Sequence, residues 1–145
     1  MDIKKVVVIG SGTMGSGIAA HLCNAKVPVT LLDLTTEISE KARDRIFKSK
    51  PPLLLDKSQI EHIKVGNIND NFDVVKEADW VVEAVVERID IKHNIYEKIF
   101  KNRKEGAIVS SNTSSIPIKV LSEKLTTEEK KDFCITHFFN PVRYM

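Results

Sequence analysis

The chain has 145 residues, 42% hydrophobic and 29% charged, a balance that suits one globular domain with its own core and excludes a disordered chain. Its 22 basic and 20 acidic residues leave a net charge of +2 spread along the chain, so no single-sign field marks it for nucleic acid or a membrane surface. Cys23 and Cys134 are far apart and form no CxxC pair, which reads as reduced thiols of a cytoplasmic protein, and the four histidines show no metal-ligand spacing.

The amino terminus leads into a short apolar run, Val6 to Ile9, too brief for a signal-peptide core or a membrane span. It predicts a first strand. Directly after it comes Gly10-Ser11-Gly12-Thr13-Met14-Gly15, followed by Met14, Ile18 and Leu22 at helical spacing. Each glycine has a physical use: a tight strand-to-helix turn at Gly10, close approach of the backbone to a pyrophosphate at Gly12, and close helix–strand packing at Gly15. The N–H groups at the helix start and the positive end of its dipole stabilise an anion without a lysine.

A second strand is expected over Val27 to Leu32, with Pro28 tolerated at its start. Asp33 follows where the acidic ribose ligand of a dinucleotide site belongs. Its carboxylate accepts the adenosine ribose hydroxyls and opposes the extra phosphate of NADP, at roughly 1 to 4 kcal/mol per pair of unit charges. The residues therefore favour NAD. The alternative is an aspartate that serves only the turn or caps the helix starting near Leu34-Thr35-Thr36-Glu37.

That helix is predicted over Thr36 to Lys48, with Ile38, Ala42 and Ile46 on one face, and it ends at Pro51-Pro52. Lys41, Arg43, Arg45, Lys48 and Lys50 read mainly as a solvated face, with phosphate contacts as the other reading. Ile63 to Gly66 is a short third strand and Trp80 to Val86 a fourth. Ile91, Ile95 and Ile99 then mark a helix with Lys98, Lys101, Arg103 and Lys104 towards its end and Gly106 after it. Ala107 to Ser110 is a fifth strand, a short helix follows Pro117, and Phe133 to His137 is a sixth strand. Strands alternating with helices imply an α/β fold of Rossmann type, a doubly wound, mostly parallel sheet. Ligands in such sheets bind at the carboxyl ends of the strands, which singles out Glu83 to Lys92, Ser110 to Ser115 and His137 to Asn140.

Ser110 to Ser115 offer hydroxyl and amide groups that suit a hydroxyl substrate beside a nicotinamide ring, and they are equally ordinary turn residues. His137 is by spacing alone either a proton-transfer group or a hydrogen-bonded core histidine.

Taken together, the glycine run through Ala19, Glu83-Ala84-Val85-Val86-Glu87, Ser111-Asn112-Thr113-Ser114-Ser115 and His137-Phe138-Phe139-Asn140-Pro141 closely resemble the NAD-binding domain of 3-hydroxyacyl-CoA dehydrogenases. The resemblance covers nearly the whole chain. It implies oxidation of a 3-hydroxyacyl-CoA to the 3-ketoacyl-CoA with NAD, in either direction, with an acyl-CoA substrate and no nucleic-acid or membrane partner. It makes His137 the general base, and Ser114 and Asn140 polar groups near the reacting oxygen and the nicotinamide. Glu87 and Lys92 become residues near the cofactor, where an exposed pair on a helix face is the plain alternative. In the family a glutamate twelve residues after the histidine orients it, and a helical domain carries dimer contacts. Residues 1–145 are then expected to be one NAD-binding domain cut short before its end, belonging to a homodimer. The competing readings are a related dehydrogenase acting on a free 3-hydroxyacid and a non-catalytic, crystallin-like NAD-binding module.

Overall fold

The computed structural model describes residues 1–145. Strands β1 (Val6–Ile9), β2 (Val29–Asp33), β3 (Ile63–Asn67), β4 (Trp80–Glu83), β5 (Ile108–Ser111) and β6 (Phe133–Ile135) form one sheet in the order β3-β2-β1-β4-β5-β6. Every pairing is parallel, with Val6 opposite Val29 on one side and Trp80 on the other. This is the doubly wound arrangement expected above. Helices α1 (Thr13–Asn24), α2 (Thr36–Lys48), α3 (Ile89–Asn102), α4 (Ile118–Leu121) and α5 (Thr127–Lys130) make all the crossovers but that from β3 to β4, and no helix is long and apolar enough to cross a membrane.

Alternation along each strand divides the core between the two faces. Val6 and Val8 pack with Ile18, Leu31, Ala42 and Ile46 beneath α1 and α2. Val7 and Ile9 pack with Val81, Ile95, Tyr96 and Ile99 beneath α3. A strand buried on both sides has to be apolar throughout, which is why Val6 to Ile9 read as a continuous run rather than an alternating one.

Several predicted boundaries move. β2 starts at Val29, after Pro28, and reaches Asp33; β4 stops at Glu83, three residues before Val86; β5 is shifted by one residue to Ile108–Ser111; and β6 ends at Ile135, before His137. Helix α2 spans Thr36–Lys48 as expected, but its buried face is Ser39, Ala42 and Ile46, while Ile38 is 40% exposed. Two short 3-10 turns, Lys57–His62 and Phe72–Glu77, have no counterpart in the sequence reading.

At the amino ends of the strands, one carboxylate joins three of them. Asp79 Oδ2 accepts the N–H groups of Lys4 and Lys5 at 2.8 and 3.0 Å, its Oδ1 takes the Lys104 ammonium, and its carbonyl accepts Ile108 N–H at 3.0 Å. The Lys104 ammonium first, and then the two backbone N–H groups, hold the carboxyl down at about 2 against an ordinary 3.8. A depressed carboxylate contributes stability that is complete above its unfolded value and is lost as the pH falls through its folded one. The Asp79→Asn variant should therefore be less stable at neutral pH and lose less further stability than wild type as the pH drops from 3.8 to about 2. Urea midpoints across that window check this, and parallel curves for the two proteins would contradict it.

Candidate nucleotide and catalytic site

The chain leaves β1 at the point where strand order reverses, between β1 and β4, and turns sharply into α1. Gly10 has φ +100°, and a Cβ there would stand 2.4 Å from the Ala84 carbonyl oxygen; one on Gly15 would stand 1.7 Å from the Gly10 carbonyl oxygen. Both positions are closed to any side chain by the fold itself. Gly12 differs: a Cβ there would meet no protein atom within 4 Å. The protein leaves that space open, and the N–H groups of Gly12, Thr13 and Met14 donate to no protein acceptor. Free N–H groups at the positive end of a helix beside an empty approach fit a diphosphate.

Asp33 ends β2 beside this loop. Its Oδ2 accepts from Ser11 N–H at 2.7 Å and Ser11 Oγ at 2.5 Å, and its Oδ1 accepts Leu34 N–H at 2.7 Å. A carboxylate has roughly four acceptor positions; one remains for a ribose hydroxyl, and rotating the Ser11 hydroxyl away frees another. The capping alternative does not hold, because Thr35 caps α2 by accepting Ile38 N–H. Ser11, only 1% exposed, orients Asp33 from behind. Arg45 reaches up from α2 to donate to the Ser11 carbonyl at 3.1 Å, and Arg43 donates to the carbonyls of Ile63 and Ile60. Arg43, half-buried, is thus a strand brace, while Arg45 braces the loop and remains exposed with Lys41, Lys48 and Lys50, as the mainly solvated reading of that strip expects.

Two adjoining cavities flank the glycine loop. One, about 370 Å³, holds Gly10, Ser11, Gly12, Asp33, Leu34, Ile38 and Ile68 along one wall. The other, about 400 Å³, holds Met14, Glu87, Asn112, Ser114, His137, Phe138, Phe139 and Asn140. Ala84, Val85 and Val86 belong to both.

Behind the second cavity lies a buried polar cluster that sequence reading only half found. Glu83, 0% exposed, accepts from Lys92 Nζ at 2.7 Å, Val85 N–H at 2.9 Å, Ser111 Oγ at 2.8 Å and the Tyr96 hydroxyl. Burial first, and then the Glu83 charge, push the Tyr96 hydroxyl up, so it remains a donor. Lys92 is also fully buried and bridges from Glu83 to Glu87 Oε1 at 3.3 Å. Glu87 in turn accepts from Thr113 Oγ1 at 2.6 Å and Ser115 Oγ at 3.2 Å. The exposed helix-face pair considered for Glu87 and Lys92 is therefore corrected: the lysine stands behind the wall and the glutamate, 42% exposed, on it. One signal was available, since an acidic residue inside an apolar strand needs a buried cation.

The serine run separates into jobs. Ser110 accepts from Trp80 Nε1 and Thr136 Oγ1, both at 2.8 Å; Ser111 serves Glu83; Thr113 and Ser115 hold Glu87; Asn112 Oδ1 accepts Phe138 N–H at 2.8 Å; and Ser114 is exposed on the cavity wall. Asn112, unassigned by sequence, ties the end of β5 to the His137 segment. His137 is exposed and makes no hydrogen bond within the domain, its ring tilted against Phe139 with centroids 4.9 Å apart. The core-histidine alternative is excluded by that exposure. Asn140 is likewise exposed at the rim.

Breaking a buried pair from one side costs about 3 to 5 kcal/mol, and removing one donor to a buried charge about 1 to 3. Glu83→Gln should thus cost about 3 kcal/mol or more in urea unfolding and Tyr96→Phe about 1 to 3. A neutral Glu83→Gln would contradict the cluster's structural role.

Comparison with known proteins agrees with this geometry. Residues 5–145 match the family model described as 3-hydroxyacyl-CoA dehydrogenase, NAD binding domain. A Rickettsia felis protein named as a fatty acid oxidation complex trifunctional enzyme is 44% identical over 151 residues, covering 99% of this chain and 21% of its own length. A "Probable 3-hydroxyacyl-CoA dehydrogenase" of Deinococcus radiodurans is 40% identical over 152 residues, covering 100% of this chain and 44% of its own. The crystal structure of 3-hydroxybutyryl-CoA dehydrogenase from Escherichia coli superposes with a TM-score of 0.86 at 27% identity, over 100% of this chain and 31% of that one. The chain thus spans less than half the length of these relatives. With this match over almost every residue, the chain belongs to the family of 3-hydroxyacyl-CoA dehydrogenase NAD-binding domains.

Proposed function

We propose that the chain is the cofactor-binding part of an enzyme that interconverts (S)-3-hydroxyacyl-CoA and 3-ketoacyl-CoA in fatty-acid metabolism. The observation that carries this reading is the second cavity: His137, Ser114, Asn112 and Asn140 line one space that adjoins the glycine loop. On this reading the enzyme works in the cytoplasm as a homodimer on an acyl-CoA substrate.

Gly12, Thr13 and Met14 hold the diphosphate of NAD through backbone N–H groups, and Asp33 holds the adenosine ribose. NAD, when bound, supplies the acceptor for the hydrogen and electron pair that leave the hydroxyl-bearing carbon. His137 accepts the hydroxyl proton. An exposed imidazole with no internal partner is free to approach a substrate hydroxyl, and such proton transfer contributes roughly a hundred- to ten-thousandfold in rate. Ser114 and Asn140 donate hydrogen bonds as charge develops on the substrate oxygen. The Glu83–Lys92–Glu87 cluster keeps the wall that carries these groups in place.

With the native protein and acetoacetyl-CoA, His137→Asn should lower kcat by roughly a hundredfold or more while NAD affinity stays within about twofold. Unchanged kcat would exclude His137 as the base, and turnover of free acetoacetate in place of the thioester would exclude the acyl-CoA assignment. Calorimetry should give NAD at least about tenfold tighter binding than NADP, a gap that Asp33→Asn narrows. Equal affinity of wild type for both would contradict the role of Asp33.

A further inference from the structure

The segment that carries His137 and Asn140 has few holds of its own. Thr136 N–H donates to the Ser111 carbonyl at 3.0 Å and Phe138 N–H to Asn112; beyond Phe138, no backbone N–H before that of Tyr144 finds an acceptor. The far end of the segment is fixed from outside the cavities. Val142 is buried against α1, where a Cβ on Gly17 would stand 3.0 Å from Val142 Cγ2. Arg143 Nη1 donates to the Pro52 carbonyl at 2.6 Å and the Leu54 carbonyl at 3.3 Å, and the Tyr144 hydroxyl donates to the same Pro52 carbonyl at 2.7 Å. The acceptor loop is the Pro51-Pro52 stretch that follows α2. Two consecutive prolines have no N–H with which to continue a helix, and the Pro52 carbonyl is taken by side chains instead. Asn24, the last residue of α1, holds this loop in turn: its Nδ2 donates to the Leu53 carbonyl at 2.9 Å, and its Oδ1 accepts Leu55 N–H at 2.8 Å.

Helix α1 therefore has contacts at both levels of the site. Its start presents the free N–H groups of the glycine loop, while its middle seats Val142 and its end, through the Pro52–Leu55 loop, seats Arg143. We propose that Arg143 and Asn24 are positioning residues for the reaction, which through that loop fix the His137 segment to the helix whose start holds the cofactor diphosphate. The inference rests on His137 as the base and on the diphosphate site proposed above. Neither Arg143 nor Asn24 lines either cavity, so each acts only through the backbone it holds. Misplacing a reacting group by about 1 Å costs roughly a hundredfold in rate. Binding of the dinucleotide at the glycine loop does not depend on where the imidazole stands, so the loss falls on kcat and not on NAD affinity.

The test is steady-state reduction of acetoacetyl-CoA by NADH with the native protein and its Arg143→Met, Arg143→Lys, Asn24→Ala and Asn24→Ala/Arg143→Met variants, each shown to be folded by its urea midpoint, with NAD affinity from calorimetry. Arg143→Met keeps the length of the side chain and removes the donor; it should lower kcat by about tenfold or more and leave KM and NAD affinity within about twofold. Arg143→Lys should recover kcat to within about threefold of wild type, because a single nitrogen makes both contacts and an ammonium supplies the same donor. Asn24→Ala should lower kcat in the same way, and the double variant should lose little more than Arg143→Met alone, since both act on one loop. Wild-type kcat in Arg143→Met or in Asn24→Ala, or losses that multiply in the double variant, would overturn the proposal. A parallel fall in kcat and NAD affinity would overturn it in favour of a general loosening of the fold. Where wild type turns over acetoacetyl-CoA, such a result removes the positioning residues alone; wild type without that turnover removes the function proposed above and this inference with it.

Discussion

A single buried carboxylate, Glu83, organises the carboxyl edge of the sheet on which the site is built. Its four hydrogen bonds come from the chain just after β4, from α3 and from the end of β5. An isolated charge at that depth would cost several kcal/mol, so the fold has to bring Lys92, Tyr96 and Ser111 to it together. What the cluster does for function follows from where it lies. Beside it the chain from Ala84 to Val86 forms the partition between the two cavities.

The glycine loop supplies the other half of the constraint. Gly10 lies against the Ala84 backbone and Gly15 against Gly10, so loop, helix and partition are fixed relative to one another by contacts that allow no side chain. Of the three loop glycines, only Gly12 has open space where a side chain would stand. The site is thereby preorganised: free N–H groups on the loop, Asp33 held by Ser11 on one side, and the polar groups of the β5 and His137 segments on the other. Such rigidity lowers the ordering cost of binding a long, flexible cofactor.

Much of this was legible in the residues. The glycine spacing and the alternation of strands with helices report local requirements, because a tight turn and a buried strand each demand particular residue types at fixed offsets. Features set by tertiary pairing were not legible. Nothing local ends β4 at Glu83 rather than Val86; its ladder ends with the neighbouring strands, where Glu83 pairs Ile9 and Ser111. Arg43 and Arg45 looked like surface cations, and only the approach of α2 to β3 and to the loop gives them carbonyls to cap. Within Ser110 to Ser115 the residue types are nearly interchangeable, so which hydroxyl braces Glu83, which holds Glu87 and which faces the cavity depends on the pleat and on what lies opposite. The exposure of His137 was equally hidden, since an apolar neighbourhood in sequence suits both a core and a cavity rim.

The central claim is that one dinucleotide spans both cavities, with its adenosine at Asp33 and its nicotinamide ring in the space lined by Glu87, Ser114 and His137. A crystal structure of the protein grown with NAD tests it directly. The account predicts diphosphate oxygens on the N–H groups of Gly12 to Met14 and the reactive carbon of the ring facing the His137 side of the cavity, with room for a substrate hydroxyl between them. A ring lying elsewhere, or a ribose that makes no contact with Asp33, would contradict it.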